Sequence, residues 1–408
     1  MEKHAFVIPT NKMINKEAIM YKDEVEYAKN KLNLFIDFFV FEDSNDIEIG
    51  KFNRTLLEKH DIKYMSIYDQ KNIVNQILNK IVTNPCERDK IFNLLFKSKI
   101  SYGSIANRIF LIVNFLGYNI IHRRDADTYL NNTNEIDFPI KEECRILKNE
   151  QSAFLLGGGY IGDFAIGYNN LEEHNLHELI ENGYRYSDFE NLALNFQYRF
   201  KNNCSTHMFK ESLPRYMRTD EILVEVGNSC IREIFKIFPC STATFTNGVD
   251  YIYHFILNAL GTNTFYHCNE VFHNHKSDAS IENYSYHYGF AKSRAINVYF
   301  YKLYNYIKNN KKIFLDVKSN GLQYINIFPH VKQIFSNALD ESQEVLKKHI
   351  SILYKSNAYK QIAQKLNTDF CKIIDETKND LEDYILLSKY WIKLFSVLQG
   401  NKQEDEIY

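Results

Sequence analysis

"YNIIHRRDADT", residues 118–128, carries apolar Ile120 and Ile121 into two arginines and then into Asp125, Ala126 and Asp127. Read as a strand, side chains two apart share a face, so Asp125 and Asp127 point together while Ala126 faces the core. Neighbouring carboxylates repel one another unless a cation lies between them. Mg²⁺ or Mn²⁺ is commonly held by one or two carboxylates plus substrate phosphates, because these ions keep octahedral oxygen shells. A solvated strand end can carry the same letters. The position after an apolar run, in a chain that alternates strand-like and helix-like segments, favours the metal. Arg123 and Arg124 have two readings: one offsets the aspartates or reaches a ribose or phosphate through a bidentate fork, or the pair makes structural salt bridges.

Upstream, "SYGSIANRIFLIVNFLG" (101–117) predicts a buried helix closed by Gly117 at its C′ position. Before it come three β-prone runs, "HAFVIPT" (4–10), "NLFIDFFVFEDS" (33–44) and "IKYMSIYD" (62–69), separated by charged segments with helical spacing. That alternation is the signature of an α/β layered sheet. Downstream, "SAFLLGGGYIGDFAIGYNN" (152–170) reads as a strand pair interrupted by Gly157, Gly158 and Gly159, which allow a positive φ or a close backbone approach. "TNGVDYIYHFILNALG" (246–261) predicts a helix of about 12 residues ending at Gly261, and "NTFYHCNEVFHNHKS" a strand with turns inside it. After about residue 290 the chain is amphipathic and helical, with Ile362, Leu366, Phe370, Ile373 and Ile374 on one stripe.

Composition narrows the class. The 408 residues are 45% apolar and 25% charged, with a net charge of −2, so no basic field favours nucleic acid. Seven scattered cysteines with no CxxC argue against a disulfide framework or zinc ribbon and suit a reducing cytoplasm. No run approaches 18 apolar residues and no signal peptide is visible, so no transmembrane segment and a cytoplasmic location are expected.

Other candidates lie at the ends of the remaining strands. "FEDS" puts Glu42, Asp43 and Ser44 where the C-terminal edge of a parallel sheet meets nucleotides. "EVFHNHKS" sets His273 and His275 two apart beside Lys276, a pairing of metal-ligating imidazoles with a phosphate anchor. Asp250, near a helix start where the macrodipole favours an ionised carboxylate, is a candidate general base.

Taken together these residues resemble the GT-A glycosyltransferases, in particular the family-2-like nucleotide-diphospho-sugar transferases. The matching elements run through residues 4–295: Pro9-Thr10 ending the first strand, "FEDS" ending the second, and "YGSIANR" with Gly103, Ala106, Asn107 and Arg108. Asp125-Ala-Asp127, Asp250 in "GVDY", and a late histidine, His273 or His275, follow. "FEDS" departs from the usual "DDGS", Val249 stands where an acid often precedes the aspartate, and no "QxxRW" occurs, since the only tryptophan is Trp391.

The resemblance implies an α/β, Rossmann-like GT-A fold: a mostly parallel central sheet flanked by helices, with a helical C-terminal region. It implies a transferase domain over 1–295 (donor half about 1–150, acceptor half about 151–295) and a helical region over 296–408. The implied activity moves one sugar from a UDP- or GDP-linked donor to a hydroxyl-bearing, soluble small-molecule or natural-product acceptor, with Mn²⁺ or Mg²⁺. Asp125, Asp127, His273 and His275 are the implied metal ligands. Pro9, Thr10, Asp43, Asn107, Arg108, Arg124, Asp125 and Lys276 are the donor contacts, with Arg294 as a second phosphate partner. Gly158, Gly159 and Asp163 line the space between donor and acceptor, and Asp250 takes the acceptor proton or orients the acceptor. The helical C-terminal region offers a surface for a homodimer.

Two other classes compete. A sugar nucleotidyltransferase shares the layout but prefers a Gly-rich loop after the first strand, where "PTNKMINK" has no glycine. A noncatalytic module would follow if the tyrosine-rich helices were the working surface.

Overall fold

The apolar runs pair side by side into one sheet whose order is β3-β2-β1-β4-β9-β6-β10-β8. The strands are β1 (Lys3–Thr10), β2 (Phe35–Glu42), β3 (Lys63–Met65), β4 (Ile120–Arg124), β6 (Ala153–Gly157), β8 (Tyr216–Arg218), β9 (Asn228–Arg232) and β10 (Asn263–His267). Six run the same way, while β9 opposes β4 and β6, and β8 opposes β10 at the edge. A second sheet, β5-β11-β7, is built from Thr128–Leu130, Val271–His273 and Tyr160–Gly162. This is the mostly parallel, helix-flanked sheet expected above. The computed structural model describes residues 2–14, 16–99, 101–130, 135, 137–162, 171–184, 216–218, 224–246, 252–273, 283–310, 317–318, 321–322 and 328–396.

Alternation along the strands sorts the core into two layers. Ala5, Val7, Phe39, Phe41 and Ile121 face one side, against α4 (Ile67–Ile81), α5 (Pro85–Leu95) and α6 (Tyr102–Phe115). Phe6, Ile8, Phe38 and Val40 face the other, against α1 (Lys16–Ile19) and α2 (Tyr21–Lys31), while Ile120 packs on α7 (Pro139–Asn149). The helices start where capping chemistry permits. Asp46 caps α3 (Ile47–Glu58), Ser66 and Asp69 form a capping box on α4, Asn84 caps α5 ahead of Pro85, and Ser101 caps α6. Because Ser66 opens a helix, the run 62–69 is only three residues of strand. Gly117 (φ 85°) and Gly261 (φ 72°) take the left-handed conformation that ends the helices before β4 and β10.

The boundary expected at residue 295 falls inside one helix, Tyr284–Asn309, and so marks no break in the fold. The C-terminal helix Phe370–Ser396 joins the main core: Trp391 is fully buried, donates from Nε1 to the Phe235 carbonyl at 2.8 Å, and packs edge-on against Phe395. Of the stripe read in the sequence, Ile362, Leu366 and Ile373 are buried, with Phe370 and Ile374 packed beside them. Of the tyrosines of the long helix, Tyr288, Tyr299 and Tyr304 are buried, and Tyr284 and Tyr306 pack against the core clusters.

Two of the buried histidines, His254 and His4, are expected to make the fold acid-sensitive. His254, in the helix Ile252–Leu260, has neither ring nitrogen hydrogen-bonded, and burial lowers its pKa from 6.5 to about 4. Burial, then the neighbouring His122, lowers His4 to about 3. In both cases the unfolded chain binds the proton more readily. Their contribution is therefore complete above the unfolded value of 6.5 and is lost as pH falls toward the folded values. Each costs about 1.4 kcal/mol per pH unit within that window. Urea unfolding of His254→Leu should show a gain over wild type that is larger at pH 5 than at pH 8; an equal gain at both would contradict the assignment.

Candidate functional site

Three parallel strand ends converge at one edge of the sheet. At the end of β1, the Thr10 hydroxyl donates to the Lys12 carbonyl at 2.8 Å and accepts from its N–H at 3.3 Å, turning the chain. The Thr10 carbonyl receives the Asp43 N–H at 2.7 Å, which ties the end of β2 to β1. Pro9 lies opposite Phe41 in the register.

The acids of "FEDS" divide. Glu42 points inward to Asn53 (2.9 Å), Tyr64 (3.1 Å) and the Ser44 N–H (3.0 Å), and burial raises its pKa. Asp43 stays partly exposed and is braced by Arg108. Arg108 itself is buried: it also donates to Gln70 Oε1 at 3.0 Å and to the Leu95 carbonyl, with its guanidinium over the Phe96 ring. Each of its three nitrogens donates to protein, so Arg108, expected among the donor contacts, acts as the brace of Asp43. Asn107 is likewise committed, its amide donating to the Cys240 carbonyl at 2.9 Å and accepting from the Cys240 N–H at 2.8 Å. It clamps two distant segments.

At the end of β4 the structure corrects the strand reading. The strand stops at Arg124, and Asp125 to Thr128 form a turn closed by the Thr128 N–H on the Asp125 carbonyl at 3.1 Å. Ala126 is buried, as expected. Asp125 faces Arg123, whose Nε and Nη2 lie 3.2 and 3.1 Å from Oδ1, and Oδ2 accepts from the Tyr160 hydroxyl at 3.2 Å. That hydroxyl accepts from the Gly227 N–H at 2.9 Å; a Cβ on Gly227 would lie 2.3 Å from Asp125 Oδ2, so a side chain there would displace the Asp125 carboxylate. Arg124 is turned away. It is fully buried against Glu24 (2.7 Å) and Glu143 (3.0 Å) on the opposite side of the sheet, which removes it from the donor contacts.

Asp127 is the open carboxylate. Its side chain is 29% exposed, 3.9 Å from His273 Nε2 and 3.8 Å from Lys12 Nζ, contacts too long to be hydrogen bonds. The small sheet delivers this pairing, since His273 on β11 sits opposite Thr128 on β5 and opposite Gly162 on β7. His273 also stacks on Tyr160, with ring centroids 4.7 Å apart and 4° between planes.

The glycines of "GGG" serve packing. A Cβ on Gly157 would fall 2.2 Å from the Asn228 carbonyl and one on Gly158 2.5 Å from the Asn269 carbonyl, so the backbones of three segments touch there. The Gly159 carbonyl accepts from Asn228 Nδ2 at 3.2 Å and from the Val271 N–H at 3.3 Å. Asp163, Asp250, His275 and Lys276 lie outside the described residues. Arg294 is buried on the helix Tyr284–Asn309 with its guanidinium over Phe290. Lys12, Tyr160 and Gly227 were not singled out in the sequence, because each is ordinary in its own window and reaches the site only through the fold.

Among the described residues, other potential ligating groups gather as His4, His122 and Cys144 and as His122, Glu143 and Cys230. Their capacity is spent internally: His122 Nε2 is 2.9 Å from His4 Nδ1, and Nδ1 is 2.5 Å from Glu143 Oε2. The Arg124 guanidinium already balances Glu143, whose charge burial opposes and Arg124 and His122 restore, leaving its pKa well below the usual value. A second cation would face that guanidinium. No described helix is long and apolar enough to cross a membrane.

No curated protein matches the sequence of this chain. Among solved structures, it is similar to glucosyl-3-phosphoglycerate synthase from Mycobacterium tuberculosis in complex with Mn²⁺, UDP-glucose and phosphoglyceric acid, at 10% identity and TM-score 0.40, over 79% of this chain and 87% of that one. Against the same synthase with phosphoglyceric acid alone, the match covers 63% of this chain and 65% of that one, just under two thirds of its length, at 11% identity and TM-score 0.33. A mannosyltransferase from Pyrobaculum calidifontis in complex with GDP-mannose and Mn²⁺ matches at 8% identity and TM-score 0.35, over 96% of this chain and 88% of that one. The model of the DUF6271 family, a family of unknown function, matches residues 3–155 and 147–406, and the chain belongs to that family.

Proposed function

We propose that the chain is a metal-dependent glycosyltransferase that uses a UDP- or GDP-linked sugar and a hydroxyl-bearing small-molecule acceptor. The observation that carries the reading is the Asp125–Thr128 turn. It opens at the C-terminal end of a parallel strand with Asp125 fixed and Asp127 free beside His273. An open carboxylate paired with an imidazole, both at a sheet edge where nucleotides bind, suits a divalent ion such as Mn²⁺ or Mg²⁺.

In this reading Asp127 and His273 hold the ion, and His275 is a further candidate ligand. The ion's chemistry is to offset charge as it develops on the departing nucleoside diphosphate. The chain does the rest. Asp43, held by Arg108, accepts hydrogen bonds from the base or ribose beside Pro9 and Thr10. Lys12, now paired with Asp127, lies on an exposed stem that lets its ammonium swing to a phosphate oxygen, and Lys276 is a second anchor. Asp250 orients or deprotonates the acceptor hydroxyl, with Asp163 lining the space between the two substrates.

Calorimetric titration of UDP, GDP and their sugar conjugates into the protein, with and without Mn²⁺, tests this. Binding that requires Mn²⁺ is expected, at one nucleotide in preference to the other. Absent binding, or binding indifferent to Mn²⁺, would sink the reading and favour a noncatalytic module.

A further inference from the structure

Beneath the candidate site lies a set of charged side chains that the proposed reaction never touches. Arg124 Nη2 is 2.7 Å from Glu24 Oε1 on α2, and Nη1 is 3.0 Å from Glu143 Oε1 on α7; both carboxylates are fully buried. Nη1 also donates to the carbonyls of Arg123 (2.9 Å) and Ser229 (3.4 Å), and the guanidinium covers the Phe6 ring. Glu24 Oε1 takes the Ile140 N–H at 2.6 Å, while His122 and His4 extend the network from Glu143 Oε2. Such a cage is an expensive way to fill a core, since well-packed apolar side chains of similar volume are often as stable or more so.

Its position in the strand supplies a use. His122 and Arg124 face α2 and α7, so by alternation Arg123 faces the other side, and its hydrogen bonds to Asp125 Oδ1 hold Asp125 there. A slip of one residue at the end of β4 would carry Asp125 toward Glu24 and Glu143, where like charges repel in a low-dielectric interior. Arg124 fits that place and Asp125 does not.

A second tie acts on the turn itself. The Thr128 hydroxyl donates to the Asp125 carbonyl at 2.8 Å and lies 2.8 Å from the Tyr21 hydroxyl. Its single proton is committed to Asp125, so Tyr21 is the donor to Thr128. Tyr21 is fully buried, and burial pushes its phenol above the ordinary value, which keeps that proton in place.

We propose that Arg124 and Tyr21 are positioning residues of the Asp125–Thr128 turn. Arg124 fixes the face on which Asp125 emerges, and Tyr21, through Thr128, fixes the turn that presents Asp127. The inference rests on the glycosyltransferase reading for its purpose but not for its test. Hydrogen exchange of the 120–130 peptide is measured in wild type, Tyr21→Phe, Thr128→Val and Thr128→Ser, together with Mn²⁺ affinity in the presence of UDP.

Tyr21→Phe loses one hydrogen bond of about 1 kcal/mol and should speed exchange of this peptide about fivefold, and Thr128→Val, which loses both the bond to Asp125 and the one from Tyr21, should speed it further. Thr128→Ser should stay near wild type, because it keeps the hydroxyl. Mn²⁺ affinity should fall about tenfold in the first two variants, the lower end for loss of an outer-shell partner. Unchanged exchange in both would overturn the proposal, whatever the ligands do. Faster exchange in a protein that binds no Mn²⁺–nucleotide would uphold the positioning role and remove the glycosyltransferase reading.

Discussion

An Asp127→Ala variant is expected to lose Mn²⁺-dependent nucleoside diphosphate binding by about 100-fold or more, roughly 2.7 kcal/mol, with little change in folding stability. The two halves of this expectation have separate causes. Among the described residues, Asp127 contacts protein through ion pairs at 3.8 and 3.9 Å, both partly exposed, and pairs of this kind contribute about 0–1 kcal/mol. Removing the carboxylate therefore moves stability by no more than an ordinary surface substitution, about 0.5 kcal/mol either way. In the proposed ion site, by contrast, Asp127 is the anionic ligand, and no hydrogen bond from the described residues restrains it. Asp125 is a poorer replacement, because Arg123 draws on its Oδ1 and the Tyr160 hydroxyl donates to its Oδ2.

Asp125→Asn separates the roles further. It keeps the acceptor that Tyr160 uses and removes the charge that balances Arg123, so stability and binding should both suffer moderately. Calorimetry with Mn²⁺ and UDP or GDP, run beside urea unfolding, reads both quantities. Wild-type affinity in Asp127→Ala would place the cation elsewhere.

How much of this was legible in the sequence depends on the range over which each interaction acts. The runs at 4–10, 33–44 and 118–124 were readable as strands because β-branched and aromatic residues cluster there between charged segments. Gly117 and Gly261 were readable as helix ends because a left-handed residue favours glycine, and both have positive φ. The turn at 125–128 was misread as strand, although Asp-Ala-Asp-Thr carries turn-forming aspartates and a Thr able to bond back to the chain. Period-two spacing put Asp125 and Asp127 on one face in the reading; in the fold one is braced and the other is free.

The roles of the arginines were hidden for another reason. Arg123 and Arg124 are adjacent in the chain, yet alternation sends them to opposite sides of the sheet, and their partners decide what each does. Arg124 meets Glu24, 100 residues earlier, while Arg108 meets Asp43 across 65 residues. Asn107 reaches Cys240 across 133 residues. No local window contains these pairs. The same holds for Lys12 and Tyr160, which are drawn to the site by the turn after β1 and by the second sheet.

Arg124→Leu is expected to cause the largest loss of stability, about 3–5 kcal/mol, because it strands two buried carboxylates. The loss is not the worth of the ion pairs themselves. A Glu24→Leu, Arg124→Leu, Glu143→Leu triple variant should recover most of it, although His122 and His267 then lose their partner. The pH dependence gives a sharper check. In wild type, Glu143 is held well below the usual carboxylate value, so its stabilising contribution is present above the unfolded value and is lost as pH falls through the folded one.

Without Arg124, burial is the dominant influence, as it already is on Glu24, whose pKa is raised. A raised carboxylate reverses the sign: it costs nothing below the unfolded value, and its penalty grows as pH climbs toward the folded one. The deficit of Arg124→Leu relative to wild type should therefore shrink between pH 7 and pH 5. Urea midpoints at the two values measure it. A deficit that is constant with pH would mean that lost packing on Phe6, rather than uncompensated charge, is what the guanidinium supplies; a deficit below about 1 kcal/mol would mean that the cage does not hold β4 in register.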